Sequence, residues 1–240
     1  MTCPQTDQKQ EAVTIPRRPE RLPGRAAATH HVWYAAYGSN MHFDRLNYYL
    51  AGGRPPGGAR TYPGCRDAAP PRQMVPVLLP GQLYFALESK VWTGGMGFYD
   101  PDAAGQMAAR AYLVTSSQFS DVAAQEMYQE PGRDLDLTEV LACGRAVLGE
   151  GRYETLVCPG LLDGYPVLTF TAPWPTSSVT LTKPSAAYLR NIASGLWESH
   201  GWDVQMVAEY LASRPGALGA WSVAEVAEAV ASAVSSPLDE

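Results

Sequence analysis

Long hydrophobic runs are missing from this 240-residue chain: none approaches the ~20 residues needed to span a membrane. Hydrophobic content is nevertheless 46%, enough for a sizeable core in one domain with decorations. Met1–His30 is rich in Pro, Gln and charge and lacks the central apolar stretch of a signal peptide. Residues 1–30 are expected to form a disordered or loosely draped tail, 31–240 a single domain, and the default compartment is the cytoplasm. Cysteine is scarce, and Cys3, Cys65, Cys143 and Cys158 show no C-x-x-C spacing. Disulfide, zinc and redox motifs are therefore poorly supported. The four histidines, His30, His31, His42 and His200, make no helical ligand pair, so no metal is expected. The net charge is −6, and Lys and Arg are dispersed apart from a small cluster at Arg17, Arg18, Arg21 and Arg25. A basic face with interleaved aromatics is absent, so nucleic acid is not an expected partner. There is no G-x-S-x-G elbow, P-loop or strand-linked G-x-G-x-x-G, which removes the common cofactor chemistries. No cofactor is expected, and the oligomeric state is open.

Against these absences stands one informative joint. The strand-length run from Val32 to Tyr37 stops at Gly38-Ser39-Asn40, and from Met41 apolar residues recur near helical spacing until Gly52-Gly53. A strand–loop–helix joint gathers unpaired backbone N–H groups and a positive helix end at one spot, a ready anion site. An ordinary turn capped by Ser39 or Asn40 explains the same residues about equally well.

A second joint follows. Ala109–Thr115 reads as a strand, and Thr115 with Gln118 makes a capping box that opens a helix. Counting from Phe119, Glu126 falls on the i+7 position of the apolar stripe shared by Val122 and Ala123. Burial there would raise its pKa toward the range useful for proton transfer. On pattern alone, a solvated helix-end glutamate is the simpler reading. A third helix starts at Ser185, with Leu189, Ile192, Ala193 and Leu196 as its buried stripe.

Three stretches together resemble the γ-glutamylcyclotransferase-like family: Tyr37-Gly38-Ser39-Asn40-Met41, Tyr112 through Glu126, and Pro184-Ser185-x-x-Tyr188 continuing to Ile192-x-x-Gly195. The resemblance covers roughly residues 32–200. Ala123 and Met127 depart from it, since the family usually has Asp and Gly there. It implies that main chain at Tyr37, Gly38, Ser39, Asn40 and Met41 grips the γ-glutamyl portion of a small-molecule substrate. It implies Glu126 as general acid/base and Tyr188 and Tyr153 as pocket residues, although a core tyrosine is the plainer reading of Tyr188. The reaction implied is attack of the substrate's α-amino group on its own γ-carbonyl, releasing 5-oxoproline and an amine. The alternatives are γ-glutamyl or acyl removal or transfer on a secondary metabolite, and a non-catalytic ligand-binding module of the same fold.

Elsewhere, residues 52–71 hold five Gly and five Pro and must be irregular; with Tyr62, Cys65 and Arg54, Arg60, Arg66 and Arg72 they could form a pocket lid or a solvent-facing excursion. Gln82–Leu87 reads as a strand and Lys90–Tyr99 as a Gly-Gly hairpin. Relative to compact members of the family it resembles, residues 127–152 are an insertion, with a helix expected from Asp136 toward Leu148. Tyr153–Cys158 and Val167–Thr171 read as a hairpin, and Asp203–Ser213 and Ser222–Val234 as helices, the last with a Ser222/Glu225 capping box and a Trp221/Val226 staple. The pattern indicates a mixed α/β (α+β) fold. The family resemblance implies a small β-barrel with peripheral helices.

Overall fold

A computed structural model describes residues 11–18, 30–55, 60–89 and 93–234. Its main sheet has seven strands in the order β1-β3-β6-β2-β9-β8-β7: β1 (Val13–Thr14), β2 (His31–Ala36), β3 (Met74–Pro80), β6 (Gln106–Thr115), β7 (Arg145–Val147), β8 (Thr155–Leu162) and β9 (Tyr165–Thr171). Strand β2 lies at the centre, antiparallel to β6 and parallel to β9. That position buries both of its faces, which explains an unbroken apolar run instead of an alternating one. A separate hairpin pairs β4 (Gln82–Ala86) with β5 (Met96–Asp100).

Among the described residues the ladder does not close into the expected barrel. Where β5 approaches β9, a side chain substitutes for backbone pairing: Thr171 Oγ1 accepts from Tyr99 N–H (2.9 Å) and donates to Tyr99 C=O (2.8 Å). A hydroxyl satisfies both backbone groups and so removes the need for a further ladder there.

The described residues also form six α-helices: α1 (Phe43–Ala51), α2 (Ser116–Glu126), α3 (Thr138–Cys143), α4 (Ala186–His200), α5 (Val204–Ala212) and α6 (Val223–Val234). The cap chemistry written in the sequence is present. Thr115 and Gln118 form a reciprocal capping box, Ser185 Oγ accepts from Tyr188 N–H, and Ser222 and Glu225 bond each other's backbone. No described helix is long and apolar enough to cross a membrane.

Several boundaries differ from expectation. Residues 11–18, inside the expected tail, are built into the fold: Val13 and Thr14 pair with β3, Ile15 is 2% exposed, and Arg18 donates to the carbonyls of Leu141 and Ala142. Val-Thr-Ile is a short β-prone run that an edge strand can recruit, even within a polar segment. The rest of that tail lies outside the described residues. The turn of the Lys90–Tyr99 hairpin is not at Gly94-Gly95; the pairing is β4 with β5, and Gly94 instead bridges to Pro184. Residues 90–92 of that stretch are not described. Helix α3 ends at Gly144, whose left-handed φ of 84° stops it well before Leu148, and β7 follows at once. Tyr153 precedes β8 rather than opening it.

Candidate active site

The first joint folds as a strand, a 3₁₀ turn over Ser39–Met41, and then α1. Three carbonyl contacts fix it. Tyr112 Oη lies 2.9 Å from Asn40 O and 2.7 Å from Met41 O, and Arg110 Nη1 donates to Met41 O (3.1 Å). Glu198 of α4 accepts from Phe43 N–H (2.9 Å) and pairs with Arg110 (2.7 Å), tying the start of α1 to α4. Within the turn, Met41 N–H bonds Gly38 O (3.0 Å), so this amide is already used. Among the described residues no acceptor takes the N–H of Ser39 or Asn40. Gly38 and Ser39 keep partial exposure, whereas Asn40 is 5% exposed and Met41 is fully buried.

The first loop also reaches the end of α2: Asn40 Nδ2 donates to Glu126 Oε1 at 2.9 Å. Glu126 ends α2, half-buried and closely surrounded by protein. Burial raises its pKa above the ordinary carboxylate value; hydrogen bonds from Tyr49 and Asn40 and the charges of Arg45 and Arg60 oppose that rise. Tyr49 is itself pushed well above the usual phenol range, first by burial and then by the Glu126 charge, so it stays neutral beside the carboxylate, and its hydroxyl lies 3.5 Å from Tyr62 Oη. Asn40 Oδ1 is buried without a partner.

The other expected residues divide. Tyr188 Oη accepts from Gly97 N–H (3.2 Å) and lies beside the first loop, since a Cβ on Gly38 would come within 3.3 Å of it. Burial pushes its phenol up to about 12, and the Glu126 charge adds to that. Tyr153 donates to Gly97 O (3.2 Å) and also senses Glu126. The Tyr37 hydroxyl is committed to Phe170 O (2.9 Å), so this side chain braces β9. Met41 likewise packs in the core.

Sequence reasoning missed Arg45 and Tyr49, and it named Arg60 and Tyr62 only as members of a candidate lid, without a place beside Glu126. The first two were open to discovery: i, i+4 spacing puts them on one face of the helix leaving the loop. The other two depend on the Gly/Pro segment. It turns back on α1 through paired bonds between Gly53 and Tyr62 (3.0 and 2.8 Å) and a Cys65 N–H bond to Leu50 O (2.9 Å). Arg60 then donates to Gln125 O (3.0 Å), Gln118 donates to Asp67 O and Ala69 O, and Arg66 grips the fully buried Asp121 through Nε and its backbone N–H. The segment is therefore a wall over α2, and it explains why Gln118, Asp121 and Gln125 are buried on what sequence alone marks as the helix's polar side.

Among the described residues no three His, Cys, Asp or Glu side chains form a group that could hold a metal. No family model matches the chain. In an alignment of 186 residues that covers 70% of this chain, it is 31% identical to histone deacetylase 5 of Arabidopsis thaliana. The match spans 28% of that relative, just over a quarter. Solved structures similar to the chain include an uncharacterized protein from Homo sapiens, with a TM-score of 0.45 and 15% identity over 78% of this chain and 90% of that one. Another is a γ-glutamyl cyclotransferase, with a TM-score of 0.41 and 15% identity over 77% of this chain and 89% of that one.

Proposed function

We propose that the chain is a cofactor-independent γ-glutamylcyclotransferase-like enzyme that converts a γ-glutamyl amide into 5-oxoproline and a free amine. The observation that carries this reading is the 2.9 Å bond between Asn40 and Glu126, which joins the anion-binding joint to a carboxylate of raised pKa. The substrate's α-amino nitrogen attacks its γ-carbonyl carbon; that C–N bond forms as the amide C–N bond breaks. Ring closure supplies its own nucleophile, so the protein's tasks are to hold the chain folded and to move protons. The attacking ammonium loses two protons and the leaving nitrogen gains two, departing as an ammonium. Glu126, relaying protons between the two nitrogens, begins and ends the cycle ionised.

The unused N–H groups of Ser39 and Asn40 suit substrate oxygen charge, either the α-carboxylate or the developing oxyanion. The unpartnered Asn40 Oδ1 suits the substrate ammonium beside Glu126. The test is incubation with a panel of γ-glutamyl amines and assay for 5-oxoproline. Formation from at least one member supports the reading. If no member gives the product, the reaction is wrong, and binding of intact amides would then favour a ligand-binding module.

A further inference from the structure

A peptide unit that accepts a hydrogen bond at its C=O is polarised by it, and its N–H becomes a stronger donor. The 3₁₀ turn over Ser39–Met41 connects such units in series. The Met41 C=O shares its unit with the N–H of His42, which bonds Ser39 O (3.3 Å); the Ser39 C=O in turn shares its unit with the N–H of Asn40. The Asn40 C=O shares its unit with the N–H of Met41, which bonds Gly38 O (3.0 Å); the Gly38 C=O shares its unit with the N–H of Ser39. Two short relays thus run back through the turn. Both end on N–H groups, those of Asn40 and Ser39, that no acceptor among the described residues takes.

At the head of the relays stand two side chains of β6. The Tyr112 hydroxyl reaches the carbonyls of both Asn40 and Met41, and Arg110 Nη1 reaches that of Met41 alone. Burial pushes the Tyr112 phenol above its ordinary range, so it is a neutral donor whose one hydrogen serves both carbonyls. Arg110 adds a full charge, and with its side chain 11% exposed little water screens it. Glu198 fixes that guanidinium and, through Phe43 N–H, the start of α1 as well.

We propose that Arg110 and Tyr112 are positioning residues for the reaction: from behind the turn they polarise the N–H groups of Ser39 and Asn40, making these the donors that receive the oxyanion formed when the γ-carbonyl is attacked. This inference rests on the cyclotransferase reading above. It assigns the turn to the charge that develops during ring closure rather than to the resting α-carboxylate. Charge on the γ-oxygen grows only as the new C–N bond forms, so stronger donors there lower the barrier and leave ground-state binding nearly unchanged.

Three variants test it: Tyr112→Phe, Arg110→Gln and Arg110→Lys. Each is followed by the NMR shifts of the Ser39 and Asn40 amide protons in the free protein, by the melting temperature, and by steady-state release of 5-oxoproline. The two relays predict an asymmetric pattern. Tyr112→Phe should move both amide protons upfield, whereas Arg110→Gln should move mainly that of Asn40, and Arg110→Lys should recover part of the shift. The kcat should fall about three- to tenfold in Tyr112→Phe and Arg110→Gln, less than the loss of an oxyanion donor itself, with KM nearly unchanged. Equal movement of both amides in Arg110→Gln, or no recovery in Arg110→Lys, marks a merely structural brace and overturns the relay. A loss carried by KM overturns the oxyanion assignment. If Arg110→Gln does not fold, Tyr112→Phe decides alone, and unmoved amides there overturn the proposal. If wild type releases no 5-oxoproline from any γ-glutamyl amine, the reaction falls, while the amide pattern still upholds or overturns the relay.

Discussion

Gly195 of α4 lies against Met41 so closely that a Cβ at position 195 would collide with the Met41 Cβ and come within 3.0 Å of His42 N. The glycine of the third motif is thus explained by the loop of the first: a bare helix face lets the 3₁₀ turn seat against α4. Gly195→Ala gains about 1 kcal/mol of helix propensity but overpacks the contact at a cost of about 1–3 kcal/mol. The net expectation is a lower melting temperature and weaker substrate binding as the loop shifts. A thermal melt showing Gly195→Ala to be more stable than wild type would disprove the close approach.

Glu126→Gln keeps size and polarity but cannot accept a proton. Turnover should fall by roughly 10²–10⁴, with folding intact. The pKa of Glu126 is raised in the fold, chiefly by burial, so the folded state holds its proton more tightly than the unfolded one. As pH rises through the interval between the unfolded and folded pKa values, this group therefore costs stability. Denaturant titrations should find Glu126→Gln more stable than wild type at pH 7, with the gain gone below the ordinary carboxylate pKa. Near-wild-type turnover in this variant would return Glu126 to the role of a helix-end residue.

Gly38→Val should weaken ligand binding by crowding the Tyr188 hydroxyl, already only 3.3 Å from a Cβ at that position. Tyr188→Phe removes the hydroxyl and should restore part of the loss when combined with Gly38→Val. Calorimetric titration of the single and double variants checks this, and strict additivity would argue against the contact.

Removing Arg66 should cost more than removing Asp121. Asp121 is fully buried, whereas the Arg66 side chain is 39% exposed and also reaches Asp134. Arg66→Ala strands a buried charge, a loss on the order of 3–5 kcal/mol. Asp121→Ala leaves a guanidinium that water and Asp134 can still satisfy. Urea unfolding of both singles and the double variant should show the double to be less damaged than Arg66→Ala alone.

His200 supplies an acid-sensitive contribution of its own. Its Nε2 lies 3.0 Å from Ala109 O, so the neutral Nε2–H tautomer fits, while its buried Nδ1 has no partner. Burial, with the nearby Arg110 charge adding to it, lowers its pKa to about 4. The unfolded chain therefore binds the proton more readily, and stability should fall as pH drops from 6.5 toward 4, by on the order of 3 kcal/mol in all. His200→Gln should flatten that part of the stability curve in urea melts from pH 4 to 7. An unchanged slope would assign the acid sensitivity elsewhere.

What the sequence determined by itself is local. Thr115 and Gln118, Ser185, Asp203, and Ser222 with Glu225 mark helix starts because each cap is a bond between a side chain and backbone only three residues away. The run from Val32 to Tyr37 was legible as a buried strand because it is apolar on both faces, and Glu126 stood out by falling on an apolar stripe. What lay beyond reach depended on distant segments meeting. No spacing rule announces that Asn40 touches Glu126, 86 positions away, or that Arg60 and Tyr62 fold back from a Gly/Pro stretch to wall off α2. Among the described residues the ladder stays open between β5 and β9, where the Thr171 hydroxyl takes up both backbone groups of Tyr99, a contact that no spacing rule announces. Nor does any spacing rule announce that the Tyr37 hydroxyl bonds Phe170 O, 133 positions away. Hydrogen-bond partners and charge neighbours are properties of three-dimensional packing, so the site's residue types could be read from the chain, but its electrostatics only from the fold.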